Sequence, residues 1–301
     1  MKDLDINFPL DKFEKLIIDI GWESMDDWFN FWNNKVNDDW IWGIGLPLLS
    51  QAYKFQKKFS ERKIIGLSAL PGTGKTTLGK WLEAISLKLN FKIAVISIDD
   101  FYLPSEEMEV AIKNNPWNVS RGFPGTHSVK LMHEKLLNWK INGELNVPVF
   151  DKSLRNGLGD RSHWRLENPD LLIIEGWFLG ITPSSIDIID RTINTTNLSL
   201  DESSYILTIQ NNLNEYLDIW TLIDNIWHLK PLKIEYMNIW KTNQEKEMLL
   251  QKGNALKDEK LSNFLRMLNV SIPHKSFDLL KSYALLLIDQ ERNLVEAGLN
   301  M

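Results

Sequence analysis

The residues best suited to chemistry lie in one glycine-rich segment, ALPGTGKTT, which spans Ala69–Thr77 between an apolar run and a helical pattern. Glycines in such a turn allow backbone N–H groups to curve around phosphate oxygens, and the N-terminus of the following helix adds the positive end of its dipole. Lys75 is predicted to reach the β- and γ-phosphates of a nucleoside triphosphate, and Thr76 to offer its hydroxyl to Mg²⁺. The residues predicted to bind the nucleotide are Pro71, Gly72, Thr73, Gly74, Lys75, Thr76 and Thr77.

Two acidic residues follow the next predicted strand. A helix over Lys75–Leu89 would carry the chain about 22 Å away from the loop, and a strand over Lys92–Ile98 would return it by about 23 Å. Asp99 and Asp100 are therefore expected at the carboxyl-terminal edge of the sheet, where open α/β folds bind their ligands. A carboxylate at this point can accept a proton from an attacking hydroxyl or orient metal-bound water.

A third acidic residue ends another apolar run, LLIIEGW over Leu171–Trp177. Glu175 at this strand end is typical of the Walker B arrangement, in which an acid holds Mg²⁺ or its water shell. The residues predicted to bind the metal are Thr76, Glu175 and Asp99. The residues predicted to be catalytic are Asp99 and Lys75.

The elements that must position these residues alternate between short aliphatic or β-branched runs and helical patterns. Predicted strands cover Ile64–Ala69, Lys92–Ile98 and Leu171–Ile174. The buried face of the helix after the loop is predicted to consist of Leu78, Leu82, Ile85 and Leu89. This alternation predicts an α/β protein with the P-loop nucleoside triphosphate hydrolase fold, a mostly parallel sheet with helices on both faces.

Outside this pattern the chain is predicted to be mainly helical. Residues 1–60 are expected to form an N-terminal helical extension, and residues 61–301 the P-loop domain. Thr182–Ser204, rich in Ser, Thr, Asn and Asp, reads as a loop or peripheral insertion. Further helical segments are predicted around Asn211–Leu222 and Gln244–Leu268.

Composition excludes several classes of protein. The 301 residues are 44% hydrophobic and 25% charged, as in globular chains, and the formal net charge of −6 argues against a nucleic-acid or membrane-surface partner. The absence of cysteine excludes disulfides, thiolate zinc sites and cysteine nucleophiles. The acidic start MKDLDINF is unlike a secretory signal, and no apolar run approaches the roughly 18 residues of a transmembrane helix, so a cytoplasmic protein is expected.

Positive charge is concentrated in one window of this acidic chain. Arg121–Arg165 holds eight Lys or Arg against four Asp or Glu, a net +4. The guanine-reading tetrapeptide Asn-Lys-x-Asp does not follow Glu175, which argues against a switch GTPase. A small-molecule kinase instead needs local positive charge for an anionic acceptor, and this window provides it.

Four segments follow the loop in this order: SIDDFYL (Ser97–Leu103), RGFPGTHS (Arg121–Ser128), DKSLRNGLGDR (Asp151–Arg161) and EGWFLG (Glu175–Gly180). Together they resemble plant-type D-glycerate 3-kinase, in the P-loop kinase group that includes phosphoribulokinase, uridine kinase and pantothenate kinase. The likeness runs from about Tyr53 to the carboxyl terminus.

The resemblance implies ATP-dependent phosphorylation of the 3-hydroxyl of D-glycerate to 3-phosphoglycerate, a reaction of photorespiratory salvage. In the wider group the first aspartate of the SxDxF element is the catalytic carboxylate on the acceptor side, which matches Asp99. The carboxylate of so small an acceptor is its main handle, and a guanidinium can bind it bidentately. The residues expected to bind the acceptor are Asp100, Arg121, His127, Lys152 and Arg161. A helical lid that excludes water is expected around residues 241–268.

Three positions depart from the family pattern. Ser128 stands where Asp is usual, Lys241 stands where a Trp-Arg pair has Arg, and Ala69 replaces a loop glycine.

Two alternative functions therefore stay open. One is a related kinase that acts on another small hydroxyl acceptor, such as pantothenate or uridine, and the other is a non-catalytic ATP-binding regulatory protein. The oligomeric state is also left open.

Overall fold

The computed structural model describes residues 2–3, 39–252, 255–256 and 258–299. The helices predicted for the N-terminal extension fall largely on residues 4–38 and so lie outside the described residues. Within the described ranges, no helix has both the length and the apolar character needed to cross a bilayer.

The strands form one large sheet and a separate hairpin. They are β1 (Lys2–Asp3), β2 (Ile64–Ala69), β3 (Ile93–Ser97), β4 (Leu145–Asp151), β5 (Asp160–Glu167), β6 (Leu171–Gly176), β7 (Asn225–Pro231), β8 (Ala284–Ile288) and β9 (Leu294–Leu299). The large sheet has the order β1-β9-β8-β7-β2-β6-β3. Neighbours from β8 to β3 are parallel, whereas β9 and β1 pair antiparallel at the opposite edge. β4 and β5 pair with each other as an antiparallel hairpin.

Helices connect the strands. They are α1 (Leu46–Lys58), α2 (Lys75–Lys88), α3 (Ser105–Ala111), α4 (Val129–Asn142), α5 (Ile186–Thr195), α6 (Leu200–Leu213), α7 (Leu217–Leu222), α8 (Tyr236–Lys252), α9 (Asp258–Val270) and α10 (His274–Asp278). A π-helical turn at Trp40–Gly45 precedes α1, and short 3₁₀ turns lie at Ile98–Phe101, Arg155–Gly157 and Asn214–Tyr216.

The predicted fold class is confirmed, with helices on both faces of a mostly parallel sheet. Successive residues of a strand point to opposite faces, and on β6 Ile173 and Ile174 enter two different hydrophobic cores. Ile173 shares its core with Trp81 of α2 and with the 39–58 segment, while Ile174 packs with Trp139 of α4. The three predicted strands are confirmed as β2, β3 and β6. The predicted buried face of α2 is also confirmed, because Leu78, Leu82, Ile85 and Leu89 are all buried.

The segment Thr182–Ser204, predicted to be a loop or a peripheral insertion, is not a loop. The segment contains α5 and the first turns of α6. Some of its polar residues begin a helix. The Ser199 side chain accepts a hydrogen bond from the Glu202 N–H, and the Glu202 carboxylate accepts one from the Ser199 N–H, which together form a capping box at the start of α6. The segment predicted around Gln244–Leu268 is two helices, α8 and α9, rather than one.

Glu202 also joins α6 to α9. Its carboxylate accepts hydrogen bonds from Arg266 Nε at 2.8 Å and from Arg266 Nη2 at 2.8 Å, and the Trp117 indole donates to it at 2.9 Å. The hydrogen bonds from Arg266, helped by the Ser199 N–H, outweigh the effect of burial and lower the pKa of Glu202 to about 2. This bidentate ion pair therefore holds α6 and α9 together.

Glu202→Gln is expected to lower the free energy of unfolding by about 2 kcal/mol at pH 7, because it replaces charged hydrogen bonds by neutral ones. The folded-state pKa lies below the ordinary value of 4.5, so the contribution is fully present above pH 4.5 and is lost as the pH falls towards 2. Denaturant unfolding of both proteins should show a gap that shrinks between pH 7 and pH 3. A gap of the same size at both pH values would contradict this role.

Candidate active site

The phosphate-binding loop lies between β2 and α2, at one wall of a cavity of about 890 Å³. Gly72 and Gly74 have φ values of +77° and +111°, which side chains rarely tolerate. The Thr73 hydroxyl donates to the Leu70 carbonyl at 2.6 Å and closes the turn. All the residues predicted to bind the nucleotide, Pro71 to Thr77, line this cavity.

Glu175, at the end of β6, faces the first turn of α2. The Lys75 Nζ atom lies 3.5 Å from Glu175 Oε2, and the Thr76 hydroxyl donates to Glu175 Oε1 at 3.4 Å. β6 pairs with β2 so that Glu175 sits opposite Leu67, which brings the two strand ends together. The parallel register therefore brings the phosphate-binding loop and the Walker B residue Glu175 together.

These residues fit a magnesium ion. Glu175 is only 6% exposed, and its Oε2 atom accepts no hydrogen bond from the described residues. Mg²⁺ in phosphate-transferring sites takes one or two protein oxygens and completes its shell with water and substrate phosphates. Thr76 and Glu175 would hold the ion, which supplies neutralisation of phosphate charge when bound.

Asp99 also lines the cavity, in the 3₁₀ turn after β3, and is paired with Lys152 of the segment after β4. Lys152 Nζ is 2.7 Å from Asp99 Oδ2. Burial alone would raise the pKa of Asp99, but the Lys152 ammonium and the nearby His127 outweigh it and hold that pKa well below its usual range. The carboxylate is therefore charged at any physiological pH. Asp99 is thus already paired with an ammonium group, and its role in metal binding stays a prediction.

His127 lies behind Asp99 rather than on the cavity wall formed by the described residues. Its Nε2 atom is 4.0 Å from Asp99 Oδ1, while Nδ1 is 2.8 Å from the Tyr216 hydroxyl. The ring stacks on Tyr102 with 4.5 Å between centroids. Burial lowers the pKa of His127 despite the adjacent Asp99, so the imidazole is neutral. In this position it supports Asp99, and its contact with an acceptor stays a prediction.

Asp100 has a different environment from its neighbour. Its Oδ2 atom accepts from the Ser97 N–H at 3.0 Å, and its Oδ1 atom accepts from the Phe150 N–H at 3.5 Å. Burial outweighs these bonds and raises the pKa of Asp100. Asp100 lines the cavity and its contact with an acceptor stays a prediction, but both oxygens are used to build the turn that carries Asp99. The spacing Ser97-x-x-Asp100 is itself a capping-box pattern, and could have indicated this.

Arg121 stabilises a loop. Its Nη1 atom donates to the carbonyls of Gly157 at 3.0 Å and Leu158 at 2.5 Å, and the guanidinium lies 5.7 Å from the Phe150 ring centroid. Arg121 is absent from the described lining of the cavity. The guanidinium therefore holds the β4–β5 connection that carries Lys152.

Arg161 is likewise bound to protein groups. Its Nε atom donates to the Tyr102 carbonyl at 3.2 Å, and Nη2 donates to the Ser128 hydroxyl at 2.6 Å. Ser128, which stands where the family usually has Asp, thus accepts a hydrogen bond from Arg161, one of the residues predicted to bind the acceptor. Where the family has Asp, the same contact would be an ion pair, which is the stronger bond.

Two residues of this site, Tyr102 and Tyr216, are not among the site residues predicted from the sequence. Tyr102 lines the cavity and is buried, with its pKa raised well above the usual range by burial and by Asp99. Tyr216 reaches His127 across 89 residues, and its hydroxyl also accepts from the Gly125 N–H at 3.2 Å. Such long-range contacts follow from the packing of helices on the sheet, which periodicity does not reveal.

The predicted lid corresponds to α8 and α9, whose described residues approach the same cavity. Lys241 of α8 lines it, forms an ion pair with Glu245 and lies 5.4 Å from the Phe264 ring centroid. Burial lowers the pKa of Lys241, although Glu245 opposes this effect. The described lining of this cavity therefore includes Lys241 beside Lys75 and Lys152.

No family model matches the sequence. An uncharacterized kinase from Schizosaccharomyces pombe is 32% identical over 214 residues, which cover 67% of this chain and 76% of that protein. The chloroplastic D-glycerate 3-kinase of Arabidopsis thaliana is 32% identical over 217 residues, 67% of this chain and 45% of that protein. The chain belongs to the P-loop kinase family that contains the D-glycerate 3-kinases.

The structure of this kinase is similar to a solved member of the family. A D-glycerate 3-kinase from Cryptococcus neoformans superposes with a TM-score of 0.71 at 25% identity, and the match covers 86% of this chain and 97% of that one. The kinase is therefore an ATP-dependent small-molecule phosphotransferase.

Proposed function

We propose that this kinase transfers the γ-phosphoryl group of ATP to the 3-hydroxyl of D-glycerate, giving 3-phosphoglycerate and ADP. One observation carries the proposal: the Asp99–Lys152 pair, with 2.7 Å between Nζ and Oδ2, in the same cavity as the phosphate-binding loop. A cation next to a carboxylate suits a small hydroxy acid, because one group can bind the acid and the other its hydroxyl. The names of the plant and fungal relatives support the same acceptor.

In the proposed reaction the acceptor carboxylate binds the Lys152 ammonium and draws it away from Asp99. The pKa of Asp99, which Lys152 now holds low, then rises, and the carboxylate becomes a better base. The oxygen of the 3-hydroxyl forms a bond to the γ-phosphorus, and the bond between the γ-phosphorus and the β-phosphate oxygen breaks. Asp99 accepts the proton of the hydroxyl in the same step. Lys75 and the loop N–H groups bind the oxygens on which negative charge accumulates.

Other predicted site residues hold Asp99 and Lys152 in place. Asp100 and His127 hold the Asp99 turn, while Arg121 and Arg161 hold the segment on either side of Lys152. The proposed lid of α8 and α9 closes over the phosphates and limits ATP hydrolysis.

An acceptor panel tests the proposal. Purified kinase is incubated with ATP, Mg²⁺ and one acceptor at a time, including D-glycerate, L-glycerate, pantothenate and uridine, and ADP release is measured. We expect D-glycerate to be preferred, with the product identified as 3-phosphoglycerate by NMR. Preference for pantothenate or uridine, or formation of 2-phosphoglycerate, would refute the proposed acceptor, and ATP binding without any product would favour the regulatory alternative.

Lys152→Met is expected to raise the KM for the acceptor by at least about tenfold and to leave the KM for ATP nearly unchanged, because it removes a charged contact to the acceptor alone. Loss of the ammonium also raises the pKa of Asp99, so the fall in kcat/KM on acidification should begin at a higher pH than in wild type. Lys130→Met, at an exposed position of α4, is the matched control. Equal changes in both KM values would contradict an acceptor-side role.

A further inference from the structure

The turn between β8 and β9 contacts the phosphate-binding loop, although it is distant in sequence. Arg292 in this turn donates from Nε to the Gly72 carbonyl at 3.0 Å, across a separation of 220 residues. Glu291 and Arg292 line the same cavity as the loop. A side chain of the carboxyl-terminal hairpin therefore reaches the backbone that is expected to bind phosphate.

The contact controls one peptide unit of the loop. The carbonyl of the Gly72–Thr73 peptide accepts from Arg292, while its N–H donates to the Leu70 carbonyl at 3.3 Å. Because a peptide unit is planar, two bonds at opposite ends set its orientation. The backbone at the tip of the loop is thus held in one conformation, which lowers the entropic cost of ordering it around a ligand.

Arg292 is itself held from several sides. Its carbonyl accepts from the Trp40 indole at 2.6 Å, and the adjacent Gln290 carbonyl accepts from the Trp240 indole at 2.6 Å. The guanidinium lies 5.7 Å from the Trp240 ring centroid. Arg292 also has a φ of +69°, an unfavourable conformation for a residue with a side chain that the surrounding contacts must maintain.

The same contacts connect the loop to the proposed lid. A Cβ atom on Gly72 would lie 2.7 Å from the carbonyl carbon of Trp240 and 2.9 Å from the Lys241 nitrogen, so the start of α8 packs directly on the loop. Arg292 touches both partners, with Nε on Gly72 and its guanidinium over Trp240. One residue therefore joins the phosphate-binding loop and α8 through its side chain, and the π-helical turn that carries Trp40 through its backbone carbonyl.

We propose that Arg292 is a positioning residue for nucleotide binding, which holds the Gly72–Thr73 peptide in its phosphate-binding orientation and fixes the start of α8 above it. The role concerns ATP and is independent of which acceptor the kinase uses. It predicts that loss of the guanidinium weakens nucleotide binding without changing the acceptor side of the cavity.

The test measures binding of a non-hydrolysable ATP analogue with Mg²⁺ to the full-length protein by isothermal titration calorimetry. Arg292→Ala is expected to raise the Kd by about tenfold, the loss of one charged hydrogen bond. Arg292→Lys should give an intermediate Kd, since an ammonium can reach one partner but lacks the guanidinium fork. Added ethylguanidinium should restore part of the affinity of Arg292→Ala.

Arg62→Ala is the matched control, because the Arg62 guanidinium likewise donates to backbone carbonyls, those of Lys140 and Ile141, and is not among the described residues that line the cavity. It should retain the wild-type Kd. A wild-type Kd in both Arg292 variants would overturn the proposal, as would an equal rise in Kd for Arg62→Ala. Should Arg292→Ala fail to fold, Arg292→Lys decides alone: weaker binding in the folded protein supports the role, and wild-type binding overturns it.

Discussion

Asp99→Asn is expected to lower kcat by about a thousandfold, within the range for removal of a general base. Asn preserves the shape of the side chain but accepts a proton far less readily, so the hydroxyl of the acceptor loses the group that would take its proton. The Kd for ATP should stay close to the wild-type value, because Asp99 is not part of the phosphate-binding loop. Steady-state kinetics with the acceptor identified in the panel, together with calorimetric ATP binding, measure both quantities.

Asp100→Asn provides the contrast, since it makes the same chemical change one residue away. Both oxygens of Asp100 accept backbone N–H groups, and an Asn can satisfy only one of them. We expect a loss of stability of about 1–3 kcal/mol for the unsatisfied position. Its kcat should fall much less than that of Asp99→Asn. A folded Asp99→Asn protein with near wild-type kcat would show that the base is another group.

Lys75→Met is expected to lower kcat by about a hundredfold to a thousandfold, as when one donor to a developing anion is removed. Lys75 is 3.5 Å from Glu175 Oε2 and lies in the first turn of α2, where its ammonium can bind the β- and γ-phosphates. Methionine keeps the length and helix propensity of the side chain but removes its charge. The Kd for ATP should rise as well, because the lysine binds the ground state of the triphosphate too.

The matched control for this change is Lys88→Met, at the exposed end of the same helix. It removes the same charge from α2 and should leave both kcat and the Kd for ATP unchanged. Equal losses in the two variants would mean that the net charge of the helix matters rather than the position of Lys75. Thermal unfolding of each protein separates chemistry from stability.

The two adjacent aspartates show how far residue types and spacing can lead. Element lengths place both at the carboxyl edge of the sheet, and the structure agrees with that position. Their separate environments depend on partners remote in sequence: Lys152 pairs with Asp99, whereas Asp100 accepts from the Phe150 backbone on the neighbouring hairpin. An acid–base assignment therefore needs the surroundings of each carboxylate, because burial and neighbouring charges move their pKa values in opposite directions.

The predicted acceptor arginines show a related limit. A net charge of +4 over Arg121–Arg165 indicates an anionic ligand. The structure uses the guanidinium groups of Arg121 and Arg161 on carbonyls and a hydroxyl, and leaves Lys152 on the cavity wall. Charge counting does not distinguish a residue that binds a ligand from one that holds the loop beside it.

The local features of this kinase can be predicted from its sequence: the strands β2, β3 and β6, the glycine-rich loop with its helix, and the acids at two strand ends. These depend on periodicity, on glycine conformation and on the lengths of elements, all of which are encoded within a few consecutive residues. Which side chains meet depends instead on the tertiary structure. The Asp99–Lys152 pair joins residues 53 positions apart, the contact of His127 with Tyr216 spans 89 positions, and that of Arg292 with Gly72 spans 220. Such contacts arise when separate elements pack on the sheet.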